Sequence, residues 1–77
     1  MLTPLSMSVV FNKLCDKKLE IENTFPQHRP KRVADFYDHL CSVERHLRMS
    51  HKLGADVVYL NQAEVETLTT NFSVFKG

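Results

Sequence analysis

The strongest constraint on the fold of this chain is a long amphipathic segment that lies between a proline and a glycine. Apolar residues recur at three- and four-residue steps from Val33 to Leu47, and on a helical projection they form a stripe about 120° wide. Pro30 precedes the segment, and Gly54 stands where a left-handed residue commonly ends a helix. The pattern predicts a helix over residues 31–53 that buries one face against a neighbour.

A second helix is predicted over residues 5–23, in front of a loop with two prolines. Pro4 suits the first helical position after Thr3. The apolar side chains of this helix spread over about 180°, which is wider than one neighbouring helix usually needs. Lys18 and Glu22 fall inside that arc. They lie either at the edge of a helix–helix seam or in a face that meets two neighbours, one of them another molecule.

The last third of the chain combines a short apolar run with a well-marked helix start. Residues 57–60 are β-branched and aromatic, as in an extended connector or an edge strand. Asn61 is a good N-cap and Glu64 follows three residues later, as in a capping box, so we expect a third helix over residues 61–70. The tail at 72–75 is apolar and offers a partner for 57–60 in a short two-stranded β element.

Together the segments predict a single, mainly α domain over residues 1–77: a helical hairpin with a short third helix. With 77 residues, the free energy from apolar burial only about balances the conformational entropy lost on folding. Such a domain folds alone or is stabilised by a partner. No signature in the chain identifies a family.

Charge and composition exclude several classes of function. Ten basic and nine acidic residues leave a net charge of +1, so no global field selects nucleic acid or an anionic membrane. No apolar run approaches the length of a membrane-spanning helix, and the first residues do not resemble a signal peptide. Cys15 and Cys41 have no partner motif and are expected to be free thiols in a reducing compartment. We expect a cytoplasmic protein.

Neither catalysis nor metal binding is predicted. The four histidines are separated by intervals of 11, 7 and 5 residues, which do not place two ligands on adjacent turns of one helix face. Cys41 and His46 lie on different sides of their helix, and no glycine-rich loop is present to hold a phosphate. The sequence therefore predicts a protein that is not an enzyme and that carries no cofactor.

The leading hypothesis is a small helical protein–protein interaction module, acting as a regulator, inhibitor or accessory subunit. The predicted contact surfaces are the broad face of the first helix and the aromatic tail. The partner is a larger protein or a second copy of the chain. The candidate binding residues are Val10, Phe11, Leu14, Lys18, Ile21, Phe72 and Phe75.

The alternative hypothesis is a regulator that binds nucleic acid through the basic flank of the second helix. Residues 28–52 carry a net charge of +3, whereas residues 53–77 carry −2. Rows of Arg and Lys are what phosphate binding requires. The candidate residues are Arg29, Lys31, Arg32, Arg45, Arg48 and Lys52.

Overall fold

The computed structural model describes residues 2–71, and within them it has three helices and a two-stranded antiparallel sheet. The elements in chain order are β1 (Thr3–Ser6), α1 (Met7–Thr24), α2 (Lys31–Lys52), β2 (Val57–Leu60) and α3 (Gln62–Thr69). Helices α1 and α2 form a hairpin, and α3 packs against both of them. The predicted mainly α fold with a small β element is confirmed.

A glycine two residues after the last residue of α2 terminates the helix, as the sequence predicts. Gly54 has a φ of +79°, in the left-handed region that favours glycine. Its N–H donates to the carbonyl of His51 at 2.9 Å, and the N–H of Ala55 donates to the carbonyl of Ser50 at 3.1 Å. These two bonds form a Schellman motif, which satisfies carbonyl groups at the end of the helix. The chain therefore leaves α2 in a fixed direction.

The beginning of α1 differs from the prediction. The helix starts at Met7 rather than at residue 5, because Thr3–Ser6 pairs with the strand β2. Pro4 belongs to this strand and does not occupy the first position of a helix. A proline is tolerated there because β1 has a neighbour on one side only. The N–H of Met7 donates to the carbonyl of Asp56 at 2.9 Å and so joins the start of α1 to the connector after α2.

The small sheet joins two distant parts of the chain. Leu5 pairs with Val58, and the register runs from Thr3 opposite Leu60 to Ser6 opposite Val57. The inward side chains Val58 and Leu60 are fully buried. The short two-stranded element is therefore present, with β1 as the partner of 57–60. The predicted partner strand, 72–75, lies outside the described residues.

Helix α3 has the capping box that the sequence predicts. The side chain of Asn61 accepts a hydrogen bond from the Glu64 N–H at 2.8 Å, and Glu64 Oε1 accepts one from the Asn61 N–H at 3.0 Å. The other carboxylate oxygen of Glu64 lies 2.9 Å from Nδ1 of His46 on α2. One side chain therefore starts α3 and attaches it to α2.

A single apolar core lies where the helices and the sheet meet. It includes five residues of α2, three of α1, two of β2 and one of α3. Burial of these side chains is the main stabilising contribution to the fold. The buried members are Val10, Leu14, Ile21, Val33, Phe36, Leu40, Val43, Leu47, Val58, Leu60 and Leu68.

Candidate functional site

A groove of about 680 Å³ opens between the first turns of α1 and the last turns of α2. Two residues of the connector between α2 and β2 line one end of it. We call it the docking groove. Its lining residues are Ser6, Met7, Ser8, Phe11, Glu44, Leu47, Arg48, His51, Lys52, Ala55 and Asp56.

The groove has an apolar floor. Leu47 belongs to the core, and Met7 is half-buried and packs against that core. Phe11 lines the groove with 48% of its surface exposed. An aromatic side chain exposed to this extent within a concave apolar surface is typical of a binding site rather than of a solvated helix face.

The edge of the groove along α2 is basic. Arg48 and Lys52 are one turn apart on the same side of the helix, and both line the groove. Lys52 has no hydrogen bond or ion pair with any residue in the range 2–71. Arg45 lies about one turn earlier, outside the lining, and donates to the hydroxyl of Ser42 at 3.2 Å. We call Arg45, Arg48 and Lys52 the basic row.

From the edge of the groove onwards, polar bridges close the seam between α1 and α2. Lys18 Nζ lies 2.9 Å from Glu44 Oε1, and Arg48 donates to the other oxygen of Glu44 at 3.0 Å. These two cations lower the pKa of Glu44, and the hydrogen bond to Glu44 raises the pKa of Lys18. Further along, the Tyr37 hydroxyl donates to Glu22 at 3.0 Å. Burial and this hydrogen bond raise the pKa of Tyr37.

The residues of the predicted protein-binding face differ in how far they are buried in the structure. Val10, Leu14 and Ile21 are fully buried in the core, so in the folded chain their side chains pack within the domain. The sheet and α3 help to cover the side of α1 that a simple hairpin would leave open. Lys18 is occupied by Glu44 within the chain. Phe11 remains exposed.

The other two predicted binding residues, Phe72 and Phe75, lie outside the described residues. The prediction for the tail is therefore neither supported nor contradicted by the fold.

The basic residues of the alternative hypothesis form two separate groups. Arg29 stacks on the ring of Tyr37, with 4.6 Å between its guanidinium carbon and the ring centroid, and donates to the carbonyl of Phe25. Lys31 and Arg32 are exposed at the start of α2. By the rise of an α-helix, Arg32 is about 24 Å from Arg48 along the axis.

The histidines and cysteines do not form a reactive centre in the described part of the chain. No group of three or more His, Cys, Asp and Glu residues within 2–71 is arranged to hold a metal ion. Both cysteines are free and half-buried. Between residues 2 and 71, no helix is both long and apolar enough to cross a bilayer.

The groove combines residues that the sequence assigned to separate hypotheses. Phe11 comes from the protein-binding set, and Arg48 and Lys52 come from the nucleic-acid set. His51 projects onto the same helix face as the core residue Leu47, yet it is exposed and lines the groove. A histidine that continues an apolar stripe to the end of a helix was the available signal for this site. The contribution of Ser6 and Asp56 had no such signal, because it depends on the sheet.

Comparisons with models of protein families, with curated proteins and with solved structures find nothing that matches this chain.

Proposed function

We propose that the chain is a small, non-enzymatic interaction module that binds a larger protein through the docking groove. The observation that carries the proposal is the exposed Phe11 in the floor of a groove of about 680 Å³. Aromatic side chains in well-formed pockets are the residues that most often dominate binding energy at protein interfaces. The module would act as a regulator, inhibitor or accessory subunit of an assembly.

The surroundings of the groove support a binding role. Its floor is continuous with the core through Leu47 and Met7, so the binding surface rests on a fixed scaffold. The hydrogen bond from the Met7 N–H to the Asp56 carbonyl fixes the start of α1 against the connector at one end of the groove. A surface whose backbone is already positioned loses less entropy when a partner binds.

The cysteines support a cytoplasmic location for the module. Cys15 and Cys41 are both free thiols rather than a disulfide. Unpaired, half-buried thiols are ordinary in a reducing compartment and unusual in exported small domains.

Binding of nucleic acid is the competing proposal, and the basic row is the feature that favours it. Two observations weigh against it. Arg29 is stacked on Tyr37 and donates to the carbonyl of Phe25, so it is occupied within the chain. The two basic groups also lie at opposite ends of α2, with Asp35 and Asp38 exposed between them.

Affinity capture from the source cell with matched variants tests the proposal. The tagged wild-type chain is compared with Phe11→Ser and with Leu19→Ser, which removes an equally exposed apolar side chain of α1 outside the groove. We expect the wild type and Leu19→Ser to retain the same protein, and Phe11→Ser to lose it. Equal capture by all three chains would contradict the proposal.

A nuclease-treated lysate in the same experiment separates the two proposals. Protein binding through the groove survives the treatment. Loss of all capture after nuclease, together with loss in the Arg45→Ala/Arg48→Ala/Lys52→Ala variant and a steep dependence on salt, would favour nucleic acid instead.

A further inference from the structure

The shape of the docking groove indicates what kind of segment fits into it. The lining residues of α2 run from Glu44 to Lys52, which is about 12 Å, or about two helical turns. The facing wall is the first part of α1, from Met7 to Phe11. A trough with a helix on each side accepts the ridge of side chains of a third helix, as in other helix-in-groove complexes.

The floor of the groove requires an apolar face on the occupant. Phe11, Met7, Leu47 and Ala55 present carbon atoms to the groove. A helix of about two turns would place apolar residues at spacings of three and four against this floor.

The charged residues around the groove determine which charge the polar face of a bound helix should carry. Glu44 lies between Lys18 and Arg48, so its negative charge is already offset within the chain. Lys52 has no partner among residues 2–71, and 75% of the Arg48 side chain is exposed. The edge along α2 therefore has basic charge that a carboxylate on the partner would complement.

The connector end of the groove sharpens this preference. The start of α1 lies at this same end, where the Met7 N–H donates to the Asp56 carbonyl, so the positive dipole end of α1 is opposed there by the Asp56 carboxylate. Asp56 lies at the connector, where it disfavours an acidic group. Acidic residues of the occupant are therefore expected along α2 and not beside the connector.

We infer that the docking groove binds an acidic amphipathic helix of a partner protein. The apolar face of that helix covers Phe11, and its carboxylates pair with Arg48 and Lys52. This inference rests on the proposed function, because it names the chemistry of the partner that the groove would bind.

Selection from a displayed library of random helical peptides, each about three turns long, tests the inference with the intact chain as bait. The Phe11→Ser chain serves in counter-selection, so that only peptides dependent on the groove are kept. We expect these peptides to share apolar residues at spacings of three and four, with Asp and Glu on one flank. The strongest of them should bind Lys52→Glu at least about tenfold more weakly than wild type.

Two controls distinguish an effect at the groove from a general effect of charge. Lys31→Glu makes the same change in charge at the other end of α2 and should alter the affinity by less than about twofold. A peptide whose acidic residues are replaced by lysine should bind Lys52→Glu more tightly than it binds wild type. Circular dichroism shows that each variant is folded.

The outcomes separate the inference from the proposed function. Groove-dependent peptides without an acidic flank, or with the same affinity for Lys52→Glu as for wild type, would overturn the inference and leave the groove as a binding site. A selection that yields no peptide dependent on Phe11 would overturn both.

Discussion

The seam between α1 and α2 is closed along most of its length and open at one end. In the closed part, Lys18 bonds to Glu44 and Tyr37 bonds to Glu22, so polar side chains bridge the two helices above the core. At the open end, Phe11 has no such bridge and lines the docking groove. The same pair of helices thus provides both a stabilising contact and a surface for another molecule.

Whether a residue of the seam is buried or exposed depends on which other elements pack over it. Leu14 is nearly one turn from Phe11 on α1, yet Leu14 is buried in the core and Phe11 is not. Hydrophobicity alone does not distinguish these two residues. The contact with the core decides which of them stabilises the fold and which remains available for binding.

The largest expected loss of stability is at Leu14, and it distinguishes Leu14 from Phe11. Leu14→Ala should lower the free energy of unfolding by about 2–5 kcal/mol, because it leaves a cavity in the core. Phe11→Ser should lower it by about 1 kcal/mol or less, since the side chain is half exposed. Urea unfolding measures both, with Leu19→Ala as the exposed control. Equal losses for Leu14→Ala and Phe11→Ser would contradict the division of the seam.

A smaller loss is expected at the turn that shapes the connector end of the groove. Gly54→Ala forces a residue with a Cβ into the left-handed region and should cost about 1–2 kcal/mol. Apart from Gly54 and its two chain neighbours, no heavy atom of the described residues lies within 4 Å of the added Cβ, so the cost comes from the backbone conformation. Gly54→Asn should lose less stability, because asparagine tolerates this conformation. Thermal unfolding of the wild type, Gly54→Ala and Gly54→Asn measures these differences in stability. Equal stability of the three chains would contradict the role of the left-handed conformation at Gly54.

The polar bridge at the centre of the seam predicts a dependence on pH. Glu44 has a lowered pKa in the folded chain, so its contribution is complete above its usual pKa of 4.5 and is lost as the pH falls through the folded value. Glu44→Gln should cost about 0.5–1 kcal/mol at neutral pH, since a fifth of the side chain is exposed to water. The difference between wild type and variant should shrink on acidification.

Unfolding by urea at a series of pH values measures that difference. Glu20→Gln, an exposed glutamate on α1, is the matched control and should show no such trend. A difference between wild type and Glu44→Gln that does not change with pH would mean that the Lys18–Glu44 bridge does not stabilise the closed seam.

The smallest effect is expected at the far end of the closed part. Tyr37→Phe removes the hydrogen bond to Glu22 and keeps the ring on which Arg29 stacks, so the loss should be about 0.5 kcal/mol. Tyr59→Phe changes an exposed tyrosine of β2 in the same way and should have no measurable effect. If Tyr37→Phe and Tyr59→Phe have the same free energy of unfolding in urea, the hydrogen bond from Tyr37 to Glu22 does not stabilise the seam.

The sequence predicts most of the fold where signals are local. Pro30 and Gly54 define α2 to within one residue, and Asn61 with Glu64 defines the start of α3. It does not predict β1, because the pairing of Leu5 with Val58 joins residues far apart in the chain and the local signals at Pro4 and Ser6 resemble a helix start.

The site was harder to predict for the same physical reason. The periodicity of α1 shows a wide apolar arc, but the part that stays exposed depends on how the sheet and α3 pack. The periodicity therefore places Val10 and Ile21 on a binding surface, although they belong to the core. The sequence identifies Phe11, Arg48 and Lys52 individually, and only the fold brings them to one groove.

The most direct test of the docking groove is an amide chemical-shift map of the ¹⁵N-labelled chain, titrated with the strongest peptide from the displayed library. The largest shifts are expected at Phe11, Leu47 and His51, with the amides of β2 and of the middle of α1 nearly unchanged. Largest shifts at Leu19 or Tyr59 would instead place the binding surface on the exposed face of α1 or of the sheet, and would contradict the assignment of the groove.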